Sequence, residues 1–586
     1  MNSRISAIFT LAAILVFAAF FRFTGLNFDQ NQHLHPDERF LTMVATTIRW
    51  PQSVAEYFDS ARSPLNPHNN GFGFFVYGTF PLFLTKLVAE TLGKGDYVNL
   101  TLVGRFLSAL IDIGTVVVVF LTAKRISKSD NASLLASFFY ASSVLPIQLA
   151  HFATTDPYVT FFSALSLLIL LLPFSKRQSI LLGVSAGLAV ASKISVLLLL
   201  PIVLLYSGSI FLNKRKTTTV VIWGILFIVS FLVTVRVAYP YLFAGSGIIS
   251  TDLNPLILAN WKELKNFDTP QSGFPPSVQW VRTTPYLFPF GQMVGWGLGL
   301  PLGIIALFSI VYVVRLVRNN PSILLLVSWI AIVFAYQGIQ FAKPMRYFAA
   351  IYPALAVLSG IFVERMIRRY HHVRWLFPLC LVTTTLWALA FLSVYRQPHT
   401  RVTASHWIYR NIPNESVIAV EHWDDPLPLL LENENKKYTV AQLPLFDPES
   451  PKKWEQLSTI LSDAHYLVLT SNRLYGSIPR LPDRYPITSR YYQALFSGEL
   501  GFSKIAEFTS RPNLPIPFIR ACLTPPFFSY GSVTQDNQEC PLSGISIVDD
   551  YAEEFFTVYD HPKVTIFQKV HPVNYSEFFA SGMRKE

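Results

Sequence analysis

The sequence predicts a polytopic α-helical membrane protein that ends in a C-terminal α/β domain, and three observations predict it. Of 586 residues, 51% are hydrophobic and only 14% are charged, and the mean hydropathy is +0.38, a composition outside the soluble globular range. Apolar runs recur from Ile5 to Val394. The first of them, Ile5–Phe23, reaches roughly 28 Å as a helix, enough to span a bilayer. Beyond Val394 the pattern changes to short alternating segments.

The membrane part is expected over 1–396. Its candidate spans are Ile5–Phe23, Thr101–Ala123, Ala132–Leu149, Tyr158–Pro173, Ile180–Ala191, Ile194–Leu212, Val220–Tyr239, Gly291–Val314, Ile323–Gln340, Tyr347–Val363 and Trp375–Val394. Met1–Phe23 has no small-residue cleavage site, so it reads as a retained span rather than a signal peptide.

A further apolar run, Gly71–Leu92, is placed by charge. If it does not cross, Arg4, Lys124/Arg125/Lys128, Lys176/Arg177, Lys214/Arg215/Lys216, Arg315/Arg318 and Arg365/Arg368/Arg369 all fall on one side, as the positive-inside rule requires. The run is therefore expected as an interfacial or re-entrant pair of short helices broken at Pro81, carrying Lys86 and Glu90. About eleven spans follow in a multi-pass plasma-membrane protein. Its N-terminus is cytoplasmic, its C-terminal domain extracytoplasmic, and its outer loops cover about 24–100 and 240–290.

In 397–586, Ser416–Val420, His465–Thr470 and Val564–Phe567 read as strands and Lys452–Ala464 as a helix, an extracytoplasmic α/β domain. Its densest polar group, Glu421-His-Trp-Asp-Asp425, reads as a turn after a strand; Trp423 could also stack on a sugar face. Three cysteines exclude a disulfide scaffold. Cys380 lies in a span, and Cys522 and Cys540 could pair outside the cell or remain free. The net charge of +11 is distributed in short clusters between apolar runs, which expresses topology and not nucleic-acid binding. No P-loop, dinucleotide fingerprint, two-His motif or CxxC occurs, so neither a nucleotide nor a divalent metal cofactor is supported.

With this topology, costly residues gather at the outer membrane surface. Asp37 and Glu38 in His35-Pro-Asp-Glu38 follow the first span, and His151 and Asp156 lie between the third and fourth. Lys193 separates two apolar halves, Arg236 ends the seventh span, and Lys343 and Arg346 precede the tenth. An ionisable group beside a bilayer costs several kcal/mol unless paired. Each has a bland reading too. Pro-Asp-Glu and Asp156-Pro157 are good helix starts, the cations can snorkel, and His151 can be a helix-end partner. Arg105 and Asp112 share a helical stripe suited to a structural polar network. Capping alone does not predict acids and cations converging on one plane.

These residues, in this order, resemble the C-type glycosyltransferases, and within them the bacterial protein O-mannosyltransferase and aminoarabinose-transferase group. The resemblance rests on His35–Glu38, Val103-Gly-Arg-Phe-Leu-Ser-Ala-Leu110, Gln148-Leu-Ala-His-Phe-Ala-Thr-Thr-Asp156, Gly183–Lys193, Pro276-Ser-Val-Gln-Trp280 and Lys343-Pro-Met-Arg-Tyr347, and covers about Met1–Tyr395. It implies a polyprenyl-phosphate sugar donor and a protein, lipid or glycan acceptor. It also implies a base or acceptor-orienting acid at Asp37 with Glu38 beside it, and a second acid at Asp156. Lys193, Arg346, Lys343 and Arg236 would face the lipid phosphate, with His35, His151 and Arg105 in support. Attack opposite the phosphate would invert the anomeric centre. The phosphate leaves as an anion, so the site needs a cation beside it and a carboxylate at the attacking hydroxyl.

The alternative of another class is a transporter or lipid flippase, favoured by the broken helix at Lys193. Against it, no internal repeat is found, and the ionisable residues collect at one face. A membrane scaffold displaying the C-terminal domain fits that domain but not the convergent charges.

Overall fold

The computed structural model describes residues 2–211, 217–271, 274–317, 320–523, 543–550 and 552–583. Leu212, Lys214, Arg215, Lys216, Arg318 and Cys540 of the readings above lie outside them. The chain divides into two compact units. The first comprises Met1–Leu26, His35–Asn266 and Pro285–Ala388, the second Asn27–Leu34, Phe267–Thr284 and Leu389–Glu586.

The first unit is helical throughout: α1 Asn2–Phe23, α2 Pro36–Thr47, α3 Val54–Phe58, α4 Thr79–Thr91, α5 Tyr97–Ser127, α6 Asp130–Ala141, α7 Val144–Ala150, α8 Asp156–Leu170 and α9 Lys176–Ser192. There follow α10 Leu199–Phe211, α11 Thr217–Ala238, α12 Pro255–Asn266, α13 Leu287–Gln292, α14 Leu300–Val314, α15 Pro321–Ile339, α16 Tyr352–Arg369 and α17 Leu376–Leu392. Among the described residues, six helical stretches are long and apolar enough to cross a membrane, and α6 with α7, bent by 57°, would make a seventh. The expected eleven full spans are thus not all present as straight helices. Apolar composition runs on through a break such as Ser142-Ser143, which hydropathy does not register, whereas Lys193 divides its run as expected.

Gly71–Leu92 also differs from expectation. It is one helix, α4, preceded by a non-helical stretch, and Pro81 lies in its first turn, where the missing N–H costs nothing. Lys86 Nζ meets Glu90 Oε1 at 2.6 Å one turn on.

Small residues set the close contacts. A Cβ on Gly183 of α9 would fall 2.6 Å from the Phe227 carbonyl oxygen of α11, so the two backbones touch. A buried ion pair joins three helices: Arg22 of α1 reaches Asp112 of α5 at 2.5 Å, and the Tyr140 hydroxyl of α6 donates to the other oxygen of Asp112 at 2.5 Å. Arg105 and Asp112 therefore share a stripe of α5 but each pairs with a different helix.

The second unit contains a five-stranded sheet in the order β2-β1-β3-β8-β4 and a three-stranded sheet, β5-β7-β6. The strands are β1 Val417–Glu421, β2 Thr439–Leu443, β3 Tyr466–Leu469, β4 Phe502–Phe508, β5 Asn513–Leu514, β6 Arg520–Leu523, β7 Gly544–Ile547 and β8 Val564–Lys569. Helices α18 Thr400–Asn411, α19 Pro451–Asp463, α20 Arg473–Ser477, α21 Pro486–Ser497, α22 Glu554–Thr557 and α23 Tyr575–Met583 complete it. β1, β2 and β3 are parallel, β8 and β4 antiparallel. Period-two alternation fills both faces. Ile418, Val420 and Val468 pack with Ala404 and Ile408 of α18, while Ala419, Leu467 and Leu469 pack with Leu457 and Leu461 of α19. Cys522 is disulfide-bonded and Cys380 is free.

Candidate functional site

The site begins with a helix start. Pro36 occupies the first turn of α2, and the His35 Nδ1 accepts the backbone N–H of Glu38 at 3.3 Å, so the capping reading of this motif is structurally correct. That cap also sends the two acids in different directions. Glu38 is fully buried. It accepts Arg105 Nη2 at 2.5 Å and Nε at 3.1 Å, and its Oε2 accepts the backbone N–H of Ala153 at 2.7 Å. A Cβ on Gly104 would fall 2.6 Å from the Ala153 Cβ, so the missing side chain is what lets α5 and the Ala153 segment approach. Glu38 thus fastens α2 to α5 and to the segment before Asp156, instead of lying beside Asp37.

Asp37 is only partly covered, and Arg346 Nη1 donates to its Oδ2 at 2.5 Å. Burial works against the Asp37 charge, but Arg346, His35 and a hydrogen bond from the Tyr77 hydroxyl outweigh it and hold the carboxyl well below the usual carboxylate range. Burial and the Asp37 charge push Tyr77 up, keeping it a neutral donor. Burial pushes His35 down to about 4, so its imidazole is neutral at pH 7, with Nδ1 as the acceptor at Glu38 and the ring 4.5 Å from that of Phe152.

The second acid mirrors the first. Asp156 opens α8 at its first position, and Thr155, not the acid, is the cap residue. Lys193 Nζ donates to Asp156 Oδ1 at 2.9 Å. Lys193 can reach because the chain is extended there (φ −161°, ψ 127°), between α9 and a 3₁₀ turn. The two pairs meet at Tyr347: Lys193 Nζ lies 4.5 Å and Arg346 Cζ 5.7 Å from its ring centroid. His35 senses Asp37, Arg346, Asp156 and Arg105 together.

Three expected members sit elsewhere. Arg236 donates to the carbonyls of Pro240 (2.6 Å), Gly247 (2.6 Å), Ile248 (3.1 Å) and Phe58 (3.3 Å), which occupies the guanidinium fork with backbone instead of a lipid phosphate. Lys343 is buried, and its ammonium donates to the carbonyls of Phe341 (3.0 Å) and Gln340 (3.4 Å) just beyond the end of α15. His151 lies between the carbonyls of Ile147 (2.8 Å) and Thr24 (2.9 Å), fastening α7 to the end of α1. Tyr77, in the aromatic stretch Phe74-Phe-Val-Tyr77, was missed by the sequence reading. So was Arg22, whose one signal is its place at the end of an apolar span. Among the described residues, no three His, Cys, Asp or Glu side chains converge to hold a metal ion.

In the second unit, Asp424 and Asp425 pair with Arg401, and Ser471 donates to Asp424. The two acids close a turn after β1, as expected. Trp423, in a left-handed conformation (φ 76°), packs edge-on to Phe274.

Residues 10–245 match the family model described as dolichyl-phosphate-mannose-protein mannosyltransferase. Among solved structures, the oligosaccharyltransferase of Archaeoglobus fulgidus tethered with an acceptor peptide superposes with a TM-score of 0.52 at 12% identity, over 93% of this chain and 76% of that one. The same enzyme in complex with Zn and sulfate gives 0.50 at 12% identity, over 82% and 71%. ArnT from Cupriavidus metallidurans in the apo state gives 0.46 at 13% identity, over 82% and 95%. No curated protein matches in sequence. Residues 10–245 match a mannosyltransferase family model, and the chain is a polytopic α-helical membrane protein that shares the fold of the Archaeoglobus fulgidus oligosaccharyltransferase.

Proposed function

We propose that the first unit transfers a sugar from a polyprenyl-phosphate carrier to a protein, lipid or glycan hydroxyl at the outer face of the membrane, with inversion. The observation that carries this reading is the meeting of the Asp37–Arg346 and Asp156–Lys193 pairs at Tyr347. The family description, which names a dolichyl-phosphate sugar, supports the donor class.

The pairs suggest how the donor activates the site. Each cation is neutralised by a carboxylate, and an anionic phosphate competes for both. As Arg346 turns to the phosphate, burial becomes the dominant influence on Asp37, its proton affinity rises, and it becomes a competent base. The acceptor oxygen attacks the anomeric carbon as its proton passes to Asp37. The bond from that carbon to the phosphate oxygen breaks, and the bond to the acceptor oxygen forms. Polyprenyl phosphate departs with one more negative charge, which Lys193 and Arg346 stabilise more strongly than they stabilise the ground state. Asp156 holds Lys193 in place until then. Glu38 and Arg105 position α2, and the neutral His35 supports the loop without giving up a proton.

The test is purified protein in proteoliposomes with a panel of polyprenyl-phosphate sugars and hydroxyl acceptors, read by mass spectrometry beside a lipid-translocation assay. Transfer that Asp37→Asn abolishes is the expected result. Translocation without transfer, or transfer indifferent to Asp37→Asn, would overturn the reading.

A further inference from the structure

Arg236, freed from the role of phosphate ligand, indicates a different surface. The chain leaves α11 at Ala238 and makes a hairpin-like excursion closed by a Phe243–Leu253 bridge and an Ala244–Asp252 hydrogen bond of 2.7 Å. From Ala244 to Thr251 the excursion has no charged residue. At its tip Ile248 is 58% and Ile249 is 90% exposed, and Leu253 and Leu256 are exposed beside them. Water-facing turns take polar residues, so two adjacent isoleucines at a tip suit an apolar environment. The tip is also shaped in advance. Arg236 holds the carbonyls of Gly247 and Ile248, Ser250 donates to the Ala244 carbonyl, and the Ser60 N–H donates to that of Gly245 at 3.2 Å.

What covers this patch follows from continuity. α11 is the most exposed of the apolar spans, with 11% of its apolar window buried. Ile222, Ile225, Val229, Leu232 and Val233 form an outward stripe at helical spacing, a face that meets lipid. Arg236 continues the stripe by one turn and carries Ile248 at its guanidinium. We infer that the Ala244–Thr251 hairpin is an interfacial anchor, dipping Ile248 and Ile249 into the acyl boundary of the bilayer at the Arg236 end of α11. Arg236 is its positioning residue: its charge is spent on the carbonyls of Gly247 and Ile248, which lowers the cost of bringing these peptide groups to the lipid.

The test is spin labelling of the full chain, Cys380→Ser, in phosphatidylcholine–phosphatidylglycerol vesicles. Ile249→Cys carries the label, Ile225→Cys on α11 serves as the lipid reference, and Asp463→Cys on α19 serves as the water reference. Collision rates with oxygen and with a neutral nickel chelate are measured at each. The expected result is a several-fold higher oxygen-to-nickel ratio at position 249 than at 463, close to that at 225, and a fall in this ratio when Arg236→Ala is added. A ratio at 249 equal to that at 463 places the tip in water and overturns the inference. Low collision with both reagents means that protein covers the tip, a second copy of the chain included, and overturns it equally. Neither outcome depends on which reaction the first unit catalyses.

Discussion

Arg346 Nη1 stands 2.5 Å from Asp37 Oδ2 across 309 residues of sequence, and the same guanidinium flanks the ring of Tyr347. A carboxylate held this way is stable as an anion but a weak base, so in the proposed mechanism the pair is the resting form of the site, which the donor phosphate switches on. This predicts a pH effect. With Arg346 present, the acidic limb of kcat/KM lies below the usual carboxylate range. In Arg346→Gln, burial is less opposed, and the limb should move up by about 1–3 pH units while the maximal rate falls. Rate–pH profiles with a polyprenyl-phosphate sugar test this, and an unmoved limb would exclude Asp37 as the titrating base.

Asp156 and Lys193 should separate differently. Lys193→Ala should lower the rate by about 10²–10³-fold if it stabilises the leaving phosphate. Asp156→Asn leaves the cation in place but loosened, and should cost less. Equal losses in donor affinity and rate from both variants would indicate that the pair acts only as a unit of structure.

Glu38 gives the sharpest contrast with Asp37, one residue away. It is buried against Arg105 and the Ala153 N–H, so Glu38→Gln should destabilise the fold by about 3–5 kcal/mol by leaving the guanidinium uncompensated. Glu38→Leu with Arg105→Met should recover much of that loss. Thermal unfolding in detergent measures both; a Glu38→Gln variant with full stability and no activity would return Glu38 to the chemistry.

These residues show what the sequence makes legible. His35-Pro-Asp-Glu38 announces a helix start through local chemistry, and the alternation of Ile418, Ala419 and Val420 announces a strand with two packed faces. Which acid faces the site is not local. It depends on Gly104 admitting Ala153 and on Arg105 meeting α2, contacts between elements distant in sequence. Arg236 and Lys343 look like free cations at a membrane edge because a sequence displays charge and conceals the carbonyls that saturate it. The helix break at Ser142-Ser143 is hidden for a related reason: the apolar run is continuous across it, whereas the charge of Lys193 marks the break there.

The topology inferred from the basic clusters places Ile126 on the cytoplasmic side and Glu586 outside. Reporters fused at those two positions should read cytoplasmic and extracytoplasmic respectively. A cytoplasmic reading at Glu586 would overturn this topology and remove the case for an outer-face site.

The last prediction concerns Glu421, at the end of β1. It is fully buried, the Tyr492 hydroxyl donates to its Oε1 at 2.5 Å, and its Oε2 meets no hydrogen-bond partner among the described residues. Burial is the main cause that pushes its pKa up to about 8; Tyr492 opposes the shift and the Asp424 charge adds to it. The folded state therefore keeps a proton that the unfolded chain releases near the ordinary carboxylate value. The sign follows by linkage: the contribution to stability is complete below that ordinary value and is lost as pH rises through about 8. Glu421→Gln, neutral at every pH and similar in shape, should match the wild type at pH 5 and exceed it by a few kcal/mol at pH 9. Thermal midpoints across that range test the difference. Difference infrared spectra should show a protonated-carboxyl band in the wild type that titrates near pH 8 and is missing from the variant. If the two proteins track each other from pH 5 to pH 9, Glu421 is ionised in the fold and the partner of its second oxygen must be sought.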